Sequence, residues 1–134
     1  MSIPVELPTL ANVMKRYRFA YLMTTSANGG APHAVAVSPV LAGSELVVND
    51  LGRRSRANAV ERPAVALVWP PQIESDYSLI VDGQAAVIGD SMRIAPVRAV
   101  LHRSAPAQAQ VRDDAKACAS DCVPIDLGVG TAKR

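Results

Sequence analysis

The side chains best suited to chemistry lie together in one short stretch that reads RRSRAN. It contains Arg53, Arg54, Ser55, Arg56 and Asn58. Guanidinium groups bind phosphate through paired hydrogen bonds, and the N–H groups at a helix start attract the same anions. Because three arginines so close together repel one another, the stretch predicts a site for an anion, most often a phosphate. The alternative is a solvated surface turn that binds nothing.

Apolar β-type runs at residues 46–48 and 64–69 flank the arginines, and Gly52 makes a turn just before them. From Ser55 to Glu61 there is room for about two helical turns before Pro63 ends the pattern. A strand, a glycine turn and a helix with a basic start are therefore the elements that would position the arginines.

The rest of the chain reads as short strands with hairpin signals and very little helix. Residues 8–16 have the spacing of an amphipathic helix. Six runs favour strands: 19–25, 32–41, 45–48, 64–69, 77–88 and 92–102. Asp82 and Gly83 interrupt the fifth run, either as a hairpin turn or as a bulge in one long strand. This pattern predicts an antiparallel barrel or sandwich.

Length and composition predict one domain with a thinly packed core. The 134 residues are 49% hydrophobic but only 4% aromatic, so valine, alanine, leucine and isoleucine must build the core. The many alanines in the strands favour an apolar face that a second copy covers, which predicts a homodimer. We expect the barrel domain at residues 1–103 and a weakly structured tail at residues 104–134.

Charge and cysteine content argue against several classes of protein. A net charge of +2 is too small to predict a nucleic-acid or membrane surface. The sequence has neither a long apolar span nor a signal-peptide pattern, so we expect a cytoplasmic protein. Cys118 and Cys122 lie far in sequence from both histidines, and no metal site is predicted. They read as reduced thiols, with a redox pair as the alternative.

Three segments, taken in order, resemble the pyridoxamine 5'-phosphate oxidase-like family, the flavin and deazaflavin split β-barrels. They read FAYLMTTSANGGAPHAVAV, ELVVNDLGRRSRANAVERPAVALVWPP and YSLIVDGQAAV, and the resemblance covers roughly residues 7–102. The second segment is similar to the family's strand, glycine-arginine turn, short helix and following strand. The resemblance implies a mainly β fold, a six-stranded antiparallel split β-barrel (FMN-binding split barrel) with a few short helices.

The resemblance also implies a homodimer that binds FMN or the deazaflavin coenzyme F420 at the subunit interface. It assigns Arg54 to the cofactor phosphate and places Ser55 where a flavin-binding oxidase usually has lysine, a charge that Arg53 or Arg56 could replace. Ser78 matches a position where oxidases present glutamine to the ring from the second subunit. The predicted cofactor-binding residues are Arg53, Arg54, Ser55, Arg56, Asn58, Val37, Ser38, Asn49 and Ser78.

Two differences separate this chain from the oxidases proper. Its second strand, residues 33–40, offers no arginine or lysine toward the phosphate, and its C-terminal sequence has no counterpart of the section that holds the pyridoxal substrate. True pyridoxamine-phosphate oxidase activity is therefore not expected. The predicted function is an FMN- or F420-dependent oxidoreductase of a small molecule, and the alternative is a non-catalytic binder of a flavin, deazaflavin or tetrapyrrole.

Four further side chains each allow two interpretations. His33 either faces the ligand groove or lies on a solvent-facing strand. Trp69 and Tyr77 either stack on a planar ring or belong to the core or an interface. His102 either closes over the site or lies on the surface. No catalytic residue is identified from the sequence.

Overall fold

Eight strands and two short helices make up residues 1–104, the part of the chain that this computed structural model describes. In chain order they are β1 (Ser2–Pro4), α1 (Leu7–Met14), β2 (Ala20–Thr24), β3 (His33–Val37), β4 (Val40–Ala42), β5 (Glu45–Val48), α2 (Arg53–Glu61), β6 (Ala64–Trp69), β7 (Ser78–Ile88) and β8 (Ser91–His102). Residues 2–103 form one compact unit. The predictions for the tail and for Cys118 and Cys122 lie outside the described residues.

All eight strands join one antiparallel sheet, and its two edge strands are consecutive in the sequence. The order is β3-β2-β6-β7-β8-β5-β4, and β1 pairs with the end of β8. The edge strands β3 and β4 are separated only by Ser38 and Pro39, so the two edges of the sheet must lie close together. The sheet therefore curls into a barrel, which confirms the predicted split β-barrel class.

The number of strands is eight rather than six for two physical reasons. The predicted strand at residues 32–41 divides at Ser38 and Pro39, because proline donates no hydrogen bond to a sheet ladder. The other addition is β1, whose three residues are all exposed and carry no alternating pattern. It is a strand only because it pairs with β8, with Ser2 opposite His102.

Leucine, valine and isoleucine side chains fill the inside of the barrel. Strand β2 shows the alternation clearly, since Ala20, Leu22 and Thr24 are buried while the residues between them are exposed. Helix α1 adds Leu10 and Val13 to this core. Trp69 is also part of the core cluster, so the interpretation of Trp69 as a core residue is the one the structure supports.

A bulge in β7 settles the open question at Asp82 and Gly83. The strand runs without a turn from Ser78 to Ile88, and its register against β8 shifts between these two residues. A Cβ on Gly83 would lie 2.5 Å from Ile94 Cγ2 and 2.7 Å from the Ala95 oxygen. The two strands approach so closely here that only glycine fits.

The two helices are short, and α2 starts earlier than predicted. Helix α1, Leu7–Met14, begins one residue before the predicted range of 8–16 and ends two residues before the end of that range, whereas α2 begins at Arg53 instead of Ser55. The earlier start places Arg53 and Arg54 inside the first turn. Among the described residues, neither helix has the length and apolar character needed to cross a membrane.

Candidate functional site

Helix α2 carries its charges in the order opposite to the one that stabilises a helix. Arg53, Arg54 and Arg56 occupy its start, no acidic residue lies in the first turn, and Glu61 is its last residue. The N-cap is Gly52, which has no side chain to accept a hydrogen bond from the first N–H groups. Because the dipole makes this end positive, the arginines destabilise the free helix. The same arrangement stabilises a bound anion.

The buried side of α2 is fastened to the hairpin between β2 and β3 through Asn58. Its Oδ1 accepts a hydrogen bond from Ala27 N–H at 3.0 Å, and its Nδ2 donates to Thr24 Oγ1 at 3.0 Å. Arg62, the C-cap, donates from Nε to the Ser26 carbonyl at 3.1 Å. These bonds hold the helix in a defined position against the hairpin.

That position brings Arg54 next to His33, the first residue of β3. Arg54 Nη1 lies 3.5 Å from His33 Nδ1, a long hydrogen bond in which the guanidinium is the donor. Register explains the approach, since His33 faces Thr24 across the β2–β3 pair and Thr24 bonds to Asn58. His33 is half-buried. It is the histidine that this structure adds to the arginine cluster, on a strand where the sequence showed no arginine or lysine.

The other predicted residues of α2 differ in exposure. Arg53 and Arg54 are exposed, and the half-buried Arg56 donates from Nε to the Gly52 carbonyl at 3.3 Å. Ser55 is only 1% exposed and Asn58 only 4%, so both side chains point away from solvent. The solvent-facing surface at the start of α2 is therefore made of guanidinium groups and main-chain N–H groups.

The remaining predicted residues lie elsewhere. Asn49 follows β5 and accepts a hydrogen bond from Ser91 Oγ at 2.7 Å. Val37 is four residues from His33, about 13 Å along β3, and Ser38 follows it. Ser78 opens β7, about 17 Å along that strand from the Gly83 bulge. Within one chain the structure groups the α2 arginines with His33, but not with Ser78.

A continuous apolar surface covers the outside of β3, β2 and β6. Tyr21 and Met23 are 41% and 39% exposed and point outward from β2. Residues directly opposite each other in a sheet share a face, so the register adds the neighbours of these two residues. Together they form the outer face, made of Tyr21, Met23, Ala34, Ala36, Ala66 and Val68. A groove of about 350 Å³ opens beside Met23 and Ala66 and reaches Val97.

A second open pocket, of about 420 Å³, lies between Tyr17, Tyr77 and the loop that precedes β7. The Tyr17 hydroxyl donates to the Tyr77 carbonyl at 2.9 Å, and the guanidinium carbon of Arg103 lies 4.5 Å from the centre of the Tyr77 ring. Burial raises the pKa of Tyr17, with Arg16 lowering it and Asp76 raising it further. Tyr77 therefore belongs to this pocket and not to the arginine cluster.

The described residues contain no grouped metal ligands, and His102 lies away from the arginines. Among residues 1–104 no three His, Cys, Asp or Glu side chains are grouped as metal ligands. His102 is exposed at the end of β8, where its Nδ1 lies 3.1 Å from Ser2 Oγ. It faces β1 and lies outside the arginine cluster.

Comparison by sequence relates the chain to two mycobacterial proteins. It is 42% identical over 139 residues to the uncharacterized protein Mb0449c of Mycobacterium bovis, and equally to the uncharacterized protein MT0457 of Mycobacterium tuberculosis. Each alignment covers 92% of this chain and 96% of the relative. No protein-family model matches the sequence.

Comparison by structure relates the fold to flavin-binding proteins. A Listeria innocua protein assigned as a pyridoxamine 5'-phosphate oxidase superimposes with a TM-score of 0.59 at 13% identity, over 72% of this chain and 98% of that one. The FAD-binding protein of Mycobacterium smegmatis gives 0.57 at 16% identity, over 77% and 100%. An F420 reductase gives 0.51 at 18% identity, over 70% and 92%. At these identities the likeness establishes the split-barrel fold.

Proposed function

Since the chain belongs to the family of Mb0449c and MT0457 and has the split-barrel fold of pyridoxamine 5'-phosphate oxidase-like proteins, we propose that it binds a phosphate-bearing flavin. The cofactor is FMN or the deazaflavin F420, and the protein acts as an oxidoreductase on a small molecule. The observation that carries the proposal is the reversed charge order of α2, in which Arg53, Arg54 and Arg56 destabilise the free helix.

The phosphate is held at the start of α2. Arg54 offers a bidentate guanidinium, with Arg53 beside it, and the first-turn N–H groups lack any side-chain acceptor at Gly52. His33 contributes a further ring nitrogen at the edge of this cluster, because its Nδ1 is occupied by Arg54 and its Nε2 is the remaining donor. These groups fit a phosphate in both charge and hydrogen-bond type.

Ser55 and Asn58 serve this site without placing a side chain on the ligand. Ser55 offers its main-chain N–H, and Asn58 holds the helix in place. The Ser55 hydroxyl is buried, so its contribution to a ligand is the N–H group of the first turn. Asn58 uses both ends of its amide to hold Ala27 and Thr24. It holds α2 against β2 and the hairpin turn that leads into β3, which in turn keeps Arg54 near His33.

Main-chain groups at the outer edge of β3 would hold the ring of the cofactor. This strand is at the edge of the sheet, so main-chain groups on one of its sides have no strand partner in residues 1–104. Val37 is about 13 Å along β3 from His33, and Ser38 follows it, a separation that suits a phosphate and a ring joined by a ribityl chain. Ser78 of the partner subunit completes the ring pocket, as the family resemblance implies.

The bound flavin supplies the hydride chemistry, and this chain supplies position and electrostatics. The arginines bind the phosphate, the β3 edge orients the ring, and the second copy excludes water. The F420 reductase among the structural neighbours supports a deazaflavin, and the FAD-binding protein supports a flavin.

The second copy covers the outer face defined by Tyr21, Met23 and their cross-strand neighbours. These side chains are apolar and exposed, and the groove beside Met23 lies within the same surface. Met23→Asp should convert a dimer to a monomer in light-scattering measurements. Val60→Asp is the matched control, since Val60 is 67% exposed but lies on α2. Equal molar masses for the two variants would contradict this interface.

Fluorescence titration with FMN, riboflavin and F420 tests the proposal. Riboflavin lacks the phosphate, so a phosphate-binding site should bind FMN at least about tenfold more tightly, the worth of one charge-assisted hydrogen bond. Arg54→Gln should remove that preference, whereas Arg93→Gln, which removes an arginine of β8 paired with Glu45 of β5, should keep it. Equal affinities for FMN and riboflavin in the wild-type protein would contradict the phosphate site.

Catalysis is tested separately from binding. The reduced cofactor complex is mixed with small unsaturated acceptors, and the absorbance of the cofactor is followed. Reoxidation that depends on the acceptor supports an oxidoreductase. Tight binding without any such turnover favours the alternative, a non-catalytic binder.

A further inference from the structure

The tip of the hairpin between β2 and β3 carries an asparagine followed directly by a glycine. Asn28 and Gly29 are both exposed, and Gly29 has a φ of +88°. No heavy atom lies within 4 Å of the position that a Cβ on Gly29 would occupy. No side chain therefore crowds Gly29, and its N–H makes one long hydrogen bond, to the Ser26 carbonyl at 3.4 Å, which must open before the nitrogen can react.

A chain of two hydrogen bonds, through the Ser26 hydroxyl, ends at the Asn28 carboxamide oxygen. Gly30 N–H donates to Ser26 Oγ at 3.0 Å, and Ser26 Oγ donates to Asn28 Oδ1 at 2.7 Å. Because the first bond uses a lone pair of Oγ, the hydroxyl proton is available for Asn28. A donor aimed at a carbonyl oxygen stabilises the negative charge that develops there when a nucleophile adds to the carbon.

From this geometry we propose that Asn28 is a site of spontaneous deamidation, with the Gly29 nitrogen as nucleophile and the Ser26 hydroxyl as the stabilising donor. The Gly29 nitrogen attacks Asn28 Cγ and forms a new C–N bond. The bond from Cγ to the side-chain nitrogen breaks, and ammonia leaves with the proton that the Gly29 nitrogen gives up. Water then opens the cyclic imide at either carbonyl, leaving aspartate or isoaspartate at position 28.

The other three asparagines of the sequence are placed less favourably and serve as internal controls. Asn12 lies within α1 and is followed by the buried Val13. Asn58 lies within α2, is 4% exposed and has both ends of its amide bonded. Asn49 accepts a hydrogen bond from Ser91 and is followed by a residue with a side chain.

The modification changes a turn that is bonded to α2. Ala27 N–H donates to Asn58 Oδ1, and the Ser26 carbonyl accepts from Arg62 Nε. Conversion adds a negative charge to this turn, and isoaspartate also lengthens its main chain by one methylene group. The turn that fixes the position of the arginine helix is thus the part of the described chain that ages chemically.

The experiment incubates the full chain at mildly alkaline pH and measures each asparagine by peptide mass spectrometry with isoaspartate detection. Asn28 should convert faster than the other three, and Asn28→Gln should remove the product. Ser26→Ala should slow conversion about two- to tenfold, the worth of one hydrogen bond. Ser26→Thr retains a hydroxyl and should restore the rate.

Three results would overturn the proposal. One is conversion at Asn28 no faster than at Asn12 or Asn49. Another is a Ser26→Ala rate equal to or above that of the wild type, and the third is a Ser26→Thr rate no higher than that of Ser26→Ala. Thermal unfolding of each variant checks that the hairpin is folded, and Ser26→Thr carries the comparison if Ser26→Ala is not.

Discussion

Arg54→Gln should affect the stability of the free protein and its response to phosphate in opposite directions. In the free protein Arg54 is a cation in the first turn of α2, beside Arg53. Removing it relieves about 0.3 to 1 kcal/mol of unfavourable interaction with the helix dipole. The 3.5 Å contact with His33 is too long to offset this. We therefore expect the Tm of the free variant to rise by about 1 to 5 °C.

With ligand present the order reverses. A hydrogen bond to a charged group contributes about 1.5 to 3 kcal/mol, so losing Arg54 weakens phosphate binding at least about tenfold. A ligand at a hundred times its Kd raises the free energy of unfolding by about 2.7 kcal/mol. For the variant at the same ligand concentration the gain falls to about 1.4 kcal/mol or less.

Thermal unfolding with and without FMN or riboflavin measures both effects. The shift caused by FMN should shrink in Arg54→Gln, and the shift caused by riboflavin should be the same in both proteins. Arg93→Gln removes an arginine whose exposed ion pair with Glu45 spans 3.1 Å. It should lower the free energy of unfolding by no more than about 1 kcal/mol and leave the FMN response intact.

One pattern of results would refute the reasoning. If Arg54→Gln lowers the Tm of the free protein and leaves the FMN shift unchanged, Arg54 stabilises the fold and holds no phosphate. The reversed charge order of α2 would then have no functional explanation.

Three further predictions concern the parts that support the site. Asn58→Ala leaves the buried Thr24 hydroxyl without its amide partner, so urea unfolding should show a loss of about 1 to 3 kcal/mol. Gly83→Ala should cost at least as much, since its Cβ would meet Ile94 and a main-chain oxygen, and strain should appear as a lower Tm. Burial raises the pKa of Tyr17 above 10.0, so the folded state holds that proton more tightly than the unfolded state. This contribution to the free energy of unfolding is present below pH 10 and is lost as the pH rises above it. Urea unfolding across that pH range should therefore show a smaller loss of stability for Tyr17→Phe than for the wild type.

Strands were predictable from the sequence where an apolar run is bounded on both sides by residues that end strands. Strand β6 has the predicted bounds, Ala64–Trp69, because an apolar run lies between two prolines. Strand β1 was missed because its three exposed residues form a strand only by pairing with β8, about a hundred residues away. Local sequence carries no signal of such a partner.

The site was predictable in its charges and less so in its geometry. The arginine cluster and its anion chemistry follow from residue type alone. Ser55, Asn58 and Ala59 are buried, and their i, i+3, i+4 spacing was the available signal that they face inward. The approach of His33 to Arg54 depends on the β2–β3 register and on α2 packing, which one sequence does not define. The assignments to the cofactor stay predictions for all nine residues: Arg53, Arg54, Ser55, Arg56, Asn58, Val37, Ser38, Asn49 and Ser78.

The pairing of β1 with β8 has a consequence for synthesis in the cell. Ser2 is synthesised before its partner His102, which is added a hundred residues later, about 5 to 20 s at ordinary rates of translation. Until then the end of the barrel formed by β1 and β8 stays open. Folding is therefore completed only after nearly the whole domain has emerged, and a nascent chain stalled before β8 would expose apolar core residues to chaperones and proteases.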